Sequence, residues 1–472
     1  VLTAPQILLQ PVSETVNAGF GAAFWAIADG SRPLAYQWFL NGNPIPGATF
    51  PLLFIFDAQA ANQGSYMAKV TNAAGSASTR TVTLTVNAAG GNPFRFRFNP
   101  LPQVIPYGGT CVLRVETDSE GQTSQSDARA GVARAVVADP ATYQWFLDGN
   151  PISGATDSSY VITGASSSDS GTYTCLATNS TGSVASAPAT VNVVAPGAES
   201  GRLINVSCRA FVGTGANQLV LGVVVGGQGV VGSEPALIRA SGPALAPFGV
   251  PGALPDPKIV LNNSAGVVAS NAGWGGAGPI AAAASELGAF PWSDPASKDS
   301  ALLLPLSQGP YTAVVSGASG DTGIALAEFY DATPPASYGP TAPRLVNISS
   351  RASVGTGGNV LIAGFVVGGS TSRTVLVRAS GPALTQFGVP GVLPDPQLVL
   401  NGTAGALYTN NGWAGDKDVS AFGAQVGAFT WIDPTSGDSA ILVTLPPGAY
   451  TAVASGASGD TGIALIEVYE IP

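Results

Sequence analysis

The strongest constraint in this 472-residue chain is an internal repeat. Arg202-Leu203-Ile204-Asn205-Val206-Ser207 returns as Arg344-Leu345-Val346-Asn347-Ile348-Ser349, and Gly213-Thr214-Gly215 returns as Gly355-Thr356-Gly357. The segment Arg239-Ala240-Ser241-Gly242-Pro243-Ala244-Leu245 matches Arg378-Ala379-Ser380-Gly381-Pro382-Ala383-Leu384. Both copies close on Gly-Ala-Ser-Gly-Asp-Thr-Gly, at Gly317 to Gly323 and Gly456 to Gly462. Each copy is about 130 residues, longer than the 20–45 residues of a solenoid unit, so each is expected to be a complete domain.

Inside each copy the pattern is that of strands. Residues 361–367 and 374–378 are apolar or alternating, and 440–445 and 462–469 have the character of closing core strands. The Gly-Gly pairs at 226–227 and 368–369 fit hairpin turns. Residues 281–287 suit one short helical turn, and their counterpart 418–425 suits it less well. Each copy is therefore expected to be an antiparallel β-sandwich or jelly roll. Residues 331–343, with Pro334, Pro335, Pro340 and Pro343, are expected to form a stiff spacer.

The first half carries a second recurrence. Tyr36-Gln37-Trp38-Phe39-Leu40 followed by the turn Asn41-Gly42 returns as Tyr143-Gln144-Trp145-Phe146-Leu147 followed by Asp148-Gly149. Gly64-Ser65-Tyr66 and the turn Thr71-Asn72-Ala73-Ala74-Gly75 return as Gly171-Thr172-Tyr173 and Thr178-Asn179-Ser180-Thr181-Gly182. Together with Ile45-Pro46-Gly47-Ala48, these features resemble the immunoglobulin-like modules common in large secreted bacterial proteins, over about residues 5–86 and 97–194. The resemblance implies a core Trp at Trp38 and Trp145 and a tyrosine corner at Tyr66 and Tyr173. It implies disulfide positions at Ala26 and Ala68 in the first module, where apolar packing must replace the bridge. In the second module Cys175 holds the later position and Val115 is the better match for the earlier one. A Cys111–Cys175 bridge would then need a different register, because Cys111 lies four residues before Val115. Cys208 reads as a small buried residue. Residues 119–140 form a long insertion, with 131–138 as a candidate extra strand and the whole as a candidate binding loop. The duplicated second half resembles a glycine-rich repeat domain found near the C-termini of secreted multidomain bacterial proteins, a resemblance that brings no activity with it.

The expected fold class is thus all-β: tandem antiparallel sandwiches, two immunoglobulin-like and two larger jelly-roll-like repeats. The expected domains are 1–88, 89–196 with the insertion, 201–331 and 344–472. The 61 Gly and 37 Pro suit many tight turns between short strands, without the period of three that collagen requires.

Composition narrows function. Eighteen Lys+Arg against 28 Asp+Glu give a net charge of −10, a poor match to a phosphate backbone or an anionic lipid surface. With no His at all, the commonest general base near neutral pH and the commonest transition-metal ligand are absent. No apolar run approaches a membrane span; 219–225 is typical. The start at Val1 fits removal of a secretory signal, and the expected location is extracellular or on the cell surface. No catalytic constellation is visible, so the chain is not expected to be an enzyme.

The sequence offers two kinds of candidate site. Trp274 and Trp413, with Trp292 and Trp431, recur beside Asn271/Asn410, Asp294/Asp433 and Asp299/Asp438, a combination suited to stacking on sugar rings and holding their hydroxyls. Core packing is the competing reading for the same tryptophans. Asp416 and Asp418 beside Asn410 and Asn411 offer oxygens to calcium, but the first copy has Ala277 and Pro279 at the carboxylate positions and the spacing matches no calcium loop; otherwise no cofactor is implied. Asp256 and Asp395, each in Leu-Pro-Asp-Pro, are expected to fix turns. The expected function is an extracellular structural protein, a self-associating subunit of a surface layer or fibre that forms homo-oligomers through module surfaces. The alternatives are a monomeric adhesin for a surface glycan or protein, and an accessory binding region of a secreted enzyme.

Overall fold

The computed structural model describes the chain apart from residues 1, 19, 32, 50–51, 88–94, 118–140, 180–181, 196–200, 228, 335–336, 338, 340, 358 and 404. The insertion 119–140 and its candidate strand 131–138 lie outside the described residues, as do Pro335 and Pro340 of the expected spacer. The chain divides into two compact units, Val1–Ala195 and Pro196–Pro472. None of the described helices is long and apolar enough to cross a membrane.

The first unit holds two modules of the same design. In the first, strands Glu14–Asn17, Val82–Asn87, Gly64–Asn72, Ala35–Leu40 and Asn43–Pro44 lie side by side in that order, and Phe20–Trp25 pairs with Leu52–Ala58. The second repeats the order with Gln103–Pro106, Ala189–Val194, Gly171–Asn179, Thr142–Leu147 and Asn150–Pro151, and Cys111–Arg114 pairs with Ser159–Ile162. Pairing is antiparallel except that Glu14–Asn17 and Gln103–Pro106 run parallel to their neighbours.

The residues that mark these modules in the sequence do physical work. Trp38 and Trp145 are fully buried and stand directly across the ladder from Ala68 and Cys175, small residues that leave room for an indole. The Tyr66 hydroxyl donates to the Asn62 carbonyl at 2.6 Å, and Tyr173 donates to Asp169 at 3.0 Å, forming the two tyrosine corners. Asn41 and Asp148 take φ of 50° and 49° ahead of Gly42 and Gly149, as tight hairpins require. Their side chains then accept from Ser65 N and Thr172 N, tying each hairpin to the next strand. Ala26 and Val115 are also fully buried, so apolar contact fills the early bridge position in both modules. Cys111, Cys175 and Cys208 are buried thiols. Cys111 sits opposite Ile162 on the ladder, and no bridge to Cys175 is formed.

In the second unit the first copy supplies β1 (Arg202–Val212), β2 (Leu219–Gly226), β3 (Ser233–Ser241), β4 (Pro257–Asn263), β5 (Gly266–Asn271), helix α1 (Gly278–Glu286), β6 (Ser300–Ser307), β7 (Gly309–Gly317) and β8 (Gly323–Asp331). The second supplies β9 (Arg344–Val354), β10 (Leu361–Gly368), β11 (Arg373–Ser380), β12 (Pro396–Gly402), β13 (Gly405–Asn411), helix α2 (Lys417–Gln425), β14 (Ser439–Leu445), β15 (Gly448–Gly456) and β16 (Gly462–Glu470). Both helices have nine residues, so the segment 418–425 is as helical as its counterpart. Asp416 explains the second helix: its carboxylate caps the N-terminus by accepting from Asp418 N and Val419 N.

The two copies are joined through their backbones. One antiparallel run reads β6-β3-β8-β1-β10-β15-β12-β13 and the other β14-β11-β16-β9-β2-β7-β4-β5, the same order with the copies interchanged. Strand β1 is held between β8 of its own copy and β10 of the other, and β9 between β16 and β2. The runs touch where Leu203 pairs with Leu345, which makes one 16-stranded network. This arrangement corrects the reading of the Gly-Gly pairs as hairpins. Gly226 and Gly368 end strands that pair with the other copy, and the chain then crosses to the opposite run. The sequence-stretch 361–367 and the other closing strands fall where their patterns place them.

Candidate functional site

Each copy buries an Arg–Glu pair on the second and third strands of a run. Arg239 on β3 lies directly across from Glu328 on β8, with Nε 3.4 Å from Oε2, and both residues are buried. The guanidinium is stacked over Phe290 and Trp292, 4.6 and 4.3 Å from the ring centroids, and Nη2 donates to the Phe290 carbonyl at 3.0 Å. Glu328 also accepts from the Tyr330 hydroxyl at 2.7 Å. Burial pushes its carboxyl above the usual range, while Arg239 and Tyr330 pull it back. The second copy repeats this set with Arg378, Glu467, Phe429, Trp431 and Tyr469.

The repeated tryptophans complete the frame. Trp274 meets Trp292 edge to face at 5.4 Å, and Trp413 meets Trp431 at 5.5 Å. Trp274, Trp413 and Trp431 are buried and Trp292 is half-buried. Their indole N–H groups are used internally: Trp292 donates to Ser241 Oγ at 3.0 Å and Trp431 to Ser380 Oγ at 3.1 Å. Trp274 donates to Ser297 Oγ at 3.1 Å and Trp413 to Ser436 Oγ at 3.2 Å.

The polar residues expected to hold sugar hydroxyls are likewise engaged with the chain. Asp299, fully buried, accepts from Gly242 N at 2.7 Å, Ala244 N at 3.2 Å and Ser297 Oγ at 2.7 Å, and Asp438 does the same in the second copy. Asn271 and Asn410 accept from Ala301 N and Ala440 N, while Asp294 and Asp433 accept from Ala296 N and Thr435 N. Asp256 and Asp395 accept from the Ser319 and Ser458 hydroxyls, holding the turns expected of them. Among the described residues no group of three or more His, Cys, Asp or Glu is placed to hold a metal ion.

What remains open is a pocket beside each aromatic frame, closed on one side by the helix. In the first copy it measures about 340 Å³, and its counterpart in the second copy about 60 Å³. Sequence reading found the tryptophans and missed Arg239 and Glu328. The signal was present, since each charge is set among apolar neighbours, Leu237-Ile238-Arg239-Ala240 and Leu326-Ala327-Glu328-Phe329, and both recur at Arg378 and Glu467.

A second charged cluster lies where the copies meet. Arg202 bonds to Asp331, and Arg344 and Arg373 both bond to Glu470, with Arg344 Nε at 2.6 Å. Glu234 is fully buried, and among the described residues neither of its carboxylate oxygens has a hydrogen-bond partner. Burial and the neighbouring Asp331 push its carboxyl up to about 9, against the opposing pull of Arg202 and Arg344. Glu234 faces Leu306 across its ladder as Arg373 faces Leu445, so the two copies place a carboxyl group and a guanidinium at one equivalent position.

These architectures are immunoglobulin-like sandwiches followed by a paired, sheet-continuous repeat. The family described as Immunoglobulin domain matches residues 133–193. Similar solved structures include the N-terminal Ig1-2 module of the Drosophila receptor protein tyrosine phosphatase DLAR, at 20% identity and a TM-score of 0.20, covering 40% of this chain and 98% of that one. The titin domains Z1Z2 in complex with telethonin align at 26% identity over 42% of this chain and all of that one, with a TM-score of 0.17. The I-band fragment I67-I69 of titin aligns at 14% identity over 74% and 94% of the two chains, with a TM-score of 0.18.

Proposed function

We propose that this chain is a non-catalytic structural and adhesive module of an extracellular or cell-surface protein, and that copies of it associate into a layer or fibre. The observation that supports this most is the joining of its repeats by edge-strand pairing on both runs. A sandwich of this kind completes its sheets by taking a strand from a like neighbour. Among the described residues strand β5, at the end of one run, pairs only with β4; it carries no charged residue and exposes Val267 and Val268 at 68% and 40%. Its equivalent β13 turns Leu407 and Tyr408 inward instead. The carbohydrate-adhesin alternative calls for aromatic faces open to a sugar ring; Trp274, Trp413 and Trp431 are buried, and Arg239 covers a face of Trp292.

Electron microscopy and sedimentation at several concentrations test the reading. Filaments or sheets that Val267→Lys abolishes are expected, since a charge on an edge blocks strand addition. Single particles at every concentration would sink the assembly reading.

A further inference from the structure

The joint between the two repeats has the build of a binding interface. The chain passes from the first copy to the second through one connection, residues 332–343 between β8 and β9. Strand β1 pairs with β10 from Arg202–Gly368 to Arg209–Ile362, and β2 pairs with β9 from Val220–Arg351 to Gly226–Arg344. Both pairings lie inside their runs, flanked by β8 and β15 in one and by β16 and β7 in the other. Taking the copies apart would strip β1, β10, β2 and β9 of a partner each, and a strand edge so exposed presents a row of free N–H and C=O groups. The side chains along the joint are those of an interior: Leu203, Val206 and Cys208 on β1 and Leu345, Ile348 and Ser350 on β9 are fully buried.

The two faces are also fitted to each other in detail. A Cβ added at Gly364 would lie 2.5 Å from Ser207 Oγ, and one at Gly222 would press on Ser349 Oγ in the same way. Each copy thus keeps a glycine where a serine of the other copy crosses its backbone, a reciprocal fit of the kind an isologous interface has.

We propose that the β1 and β2 edges of the first repeat are a binding surface for a repeat of the same design, that the second repeat is the partner held there, and that the connection 332–343 can be cut without parting them. Neither repeat is then a domain by itself; together they make one. The connection raises the local concentration of one repeat about the other to roughly millimolar, and a joint that continues two sheets binds without that help. The inference is independent of association between chains, because these edges are already covered within one chain.

The test uses the full chain with a recognition site for a sequence-specific protease inserted after Ser337. After cleavage in native buffer the two fragments should elute together at the volume of the uncut chain, from micromolar to nanomolar concentration. Ser207→Cys with Gly364→Cys places two Cβ atoms about 3.9 Å apart across the joint, and Gly222→Cys with Ser349→Cys places them about 3.8 Å apart, both within the span of a disulfide. Oxidised at nanomolar concentration and then cut, these double variants should run as one band on a denaturing gel until reductant divides it, while each single variant should give two bands. Elution of the cut fragments as two separate species would overturn the proposal, and so would failure of both cysteine pairs to close.

Discussion

Replacing Glu234 with Gln should make the second unit more stable at neutral and alkaline pH, although it removes a buried ionisable group beside two arginines. The folded chain holds this carboxyl at about 9, against 4.5 for the ordinary group. A folded-state value above the unfolded one means that the native state keeps a proton which the unfolded chain releases. The contribution is therefore fully present below pH 4.5 and is lost as pH rises toward 9. Each pH unit in that window corresponds to roughly 1.4 kcal/mol. From pH 5 to pH 7 the wild-type loss is then roughly 3 kcal/mol, and Gln, which cannot ionise, avoids it. The groups facing Glu234 are Asp331, Arg202 and Arg344, and all remain in the variant. Urea unfolding of the full chain, followed by circular dichroism at pH 5, 7 and 9, reads the difference directly. The two proteins should be within about 1 kcal/mol of each other at pH 5, the cost of one imperfect amide hydrogen bond. They should then diverge as pH rises. Parallel profiles across the range would refute the assignment of a neutral Glu234 and with it the reasoning about the junction.

The remaining expectations concern packing and thiols. A Cβ on Gly242 or Gly381 would lie 2.1 Å from the Leu254 or Leu393 carbonyl oxygen, so either Gly→Ala change should destabilise by roughly 2–4 kcal/mol in chemical denaturation, as overpacking does. Gly278→Ala in the first turn of α1, where nothing lies within 4 Å, should be neutral or slightly stabilising, and a comparable loss there would refute the steric account. The three cysteines are buried, and burial pushes the Cys208 thiol up to about 12. The native chain should therefore resist a chromogenic disulfide reagent at pH 8 and yield three thiols per chain in denaturant; rapid reaction of the folded protein would contradict it.

Much of this architecture is legible in local sequence because its signals are local. Alternating residues place the strands, Asn41-Gly42 and Asp148-Gly149 place hairpins, and a Tyr two residues before a small core residue places each corner. Partner choice is another matter. The apolar run of β2 says that a strand is buried, yet it is equally consistent with pairing to β3 or to β9, more than a hundred residues away. That is why Gly226-Gly227 reads as a hairpin and serves as a crossover. The tryptophans were visible as a repeated set, but their exposure depends on where Arg239 and Arg378 stack, and those contacts join residues some fifty positions apart. The short helix at 418–425 was masked for a simpler reason. Its N-terminal carboxylate, Asp416, reads as a metal ligand as readily as a cap.

The junction between the copies has a consequence for symmetry. A dimer of two identical second copies would gather two Arg344, two Arg373 and two Glu470 about its axis, four arginines against two carboxylates. In the unlike pair Glu234, holding its proton, stands in the position of one Arg373, and three arginines face Asp331 and Glu470. Tying both halves into one polypeptide releases them from the rule that like must meet like at a twofold axis. The chain has used that freedom at one position, where a neutral Glu234 in one half answers to Arg373 in the other, and the excess of positive charge at the joint falls from two to one.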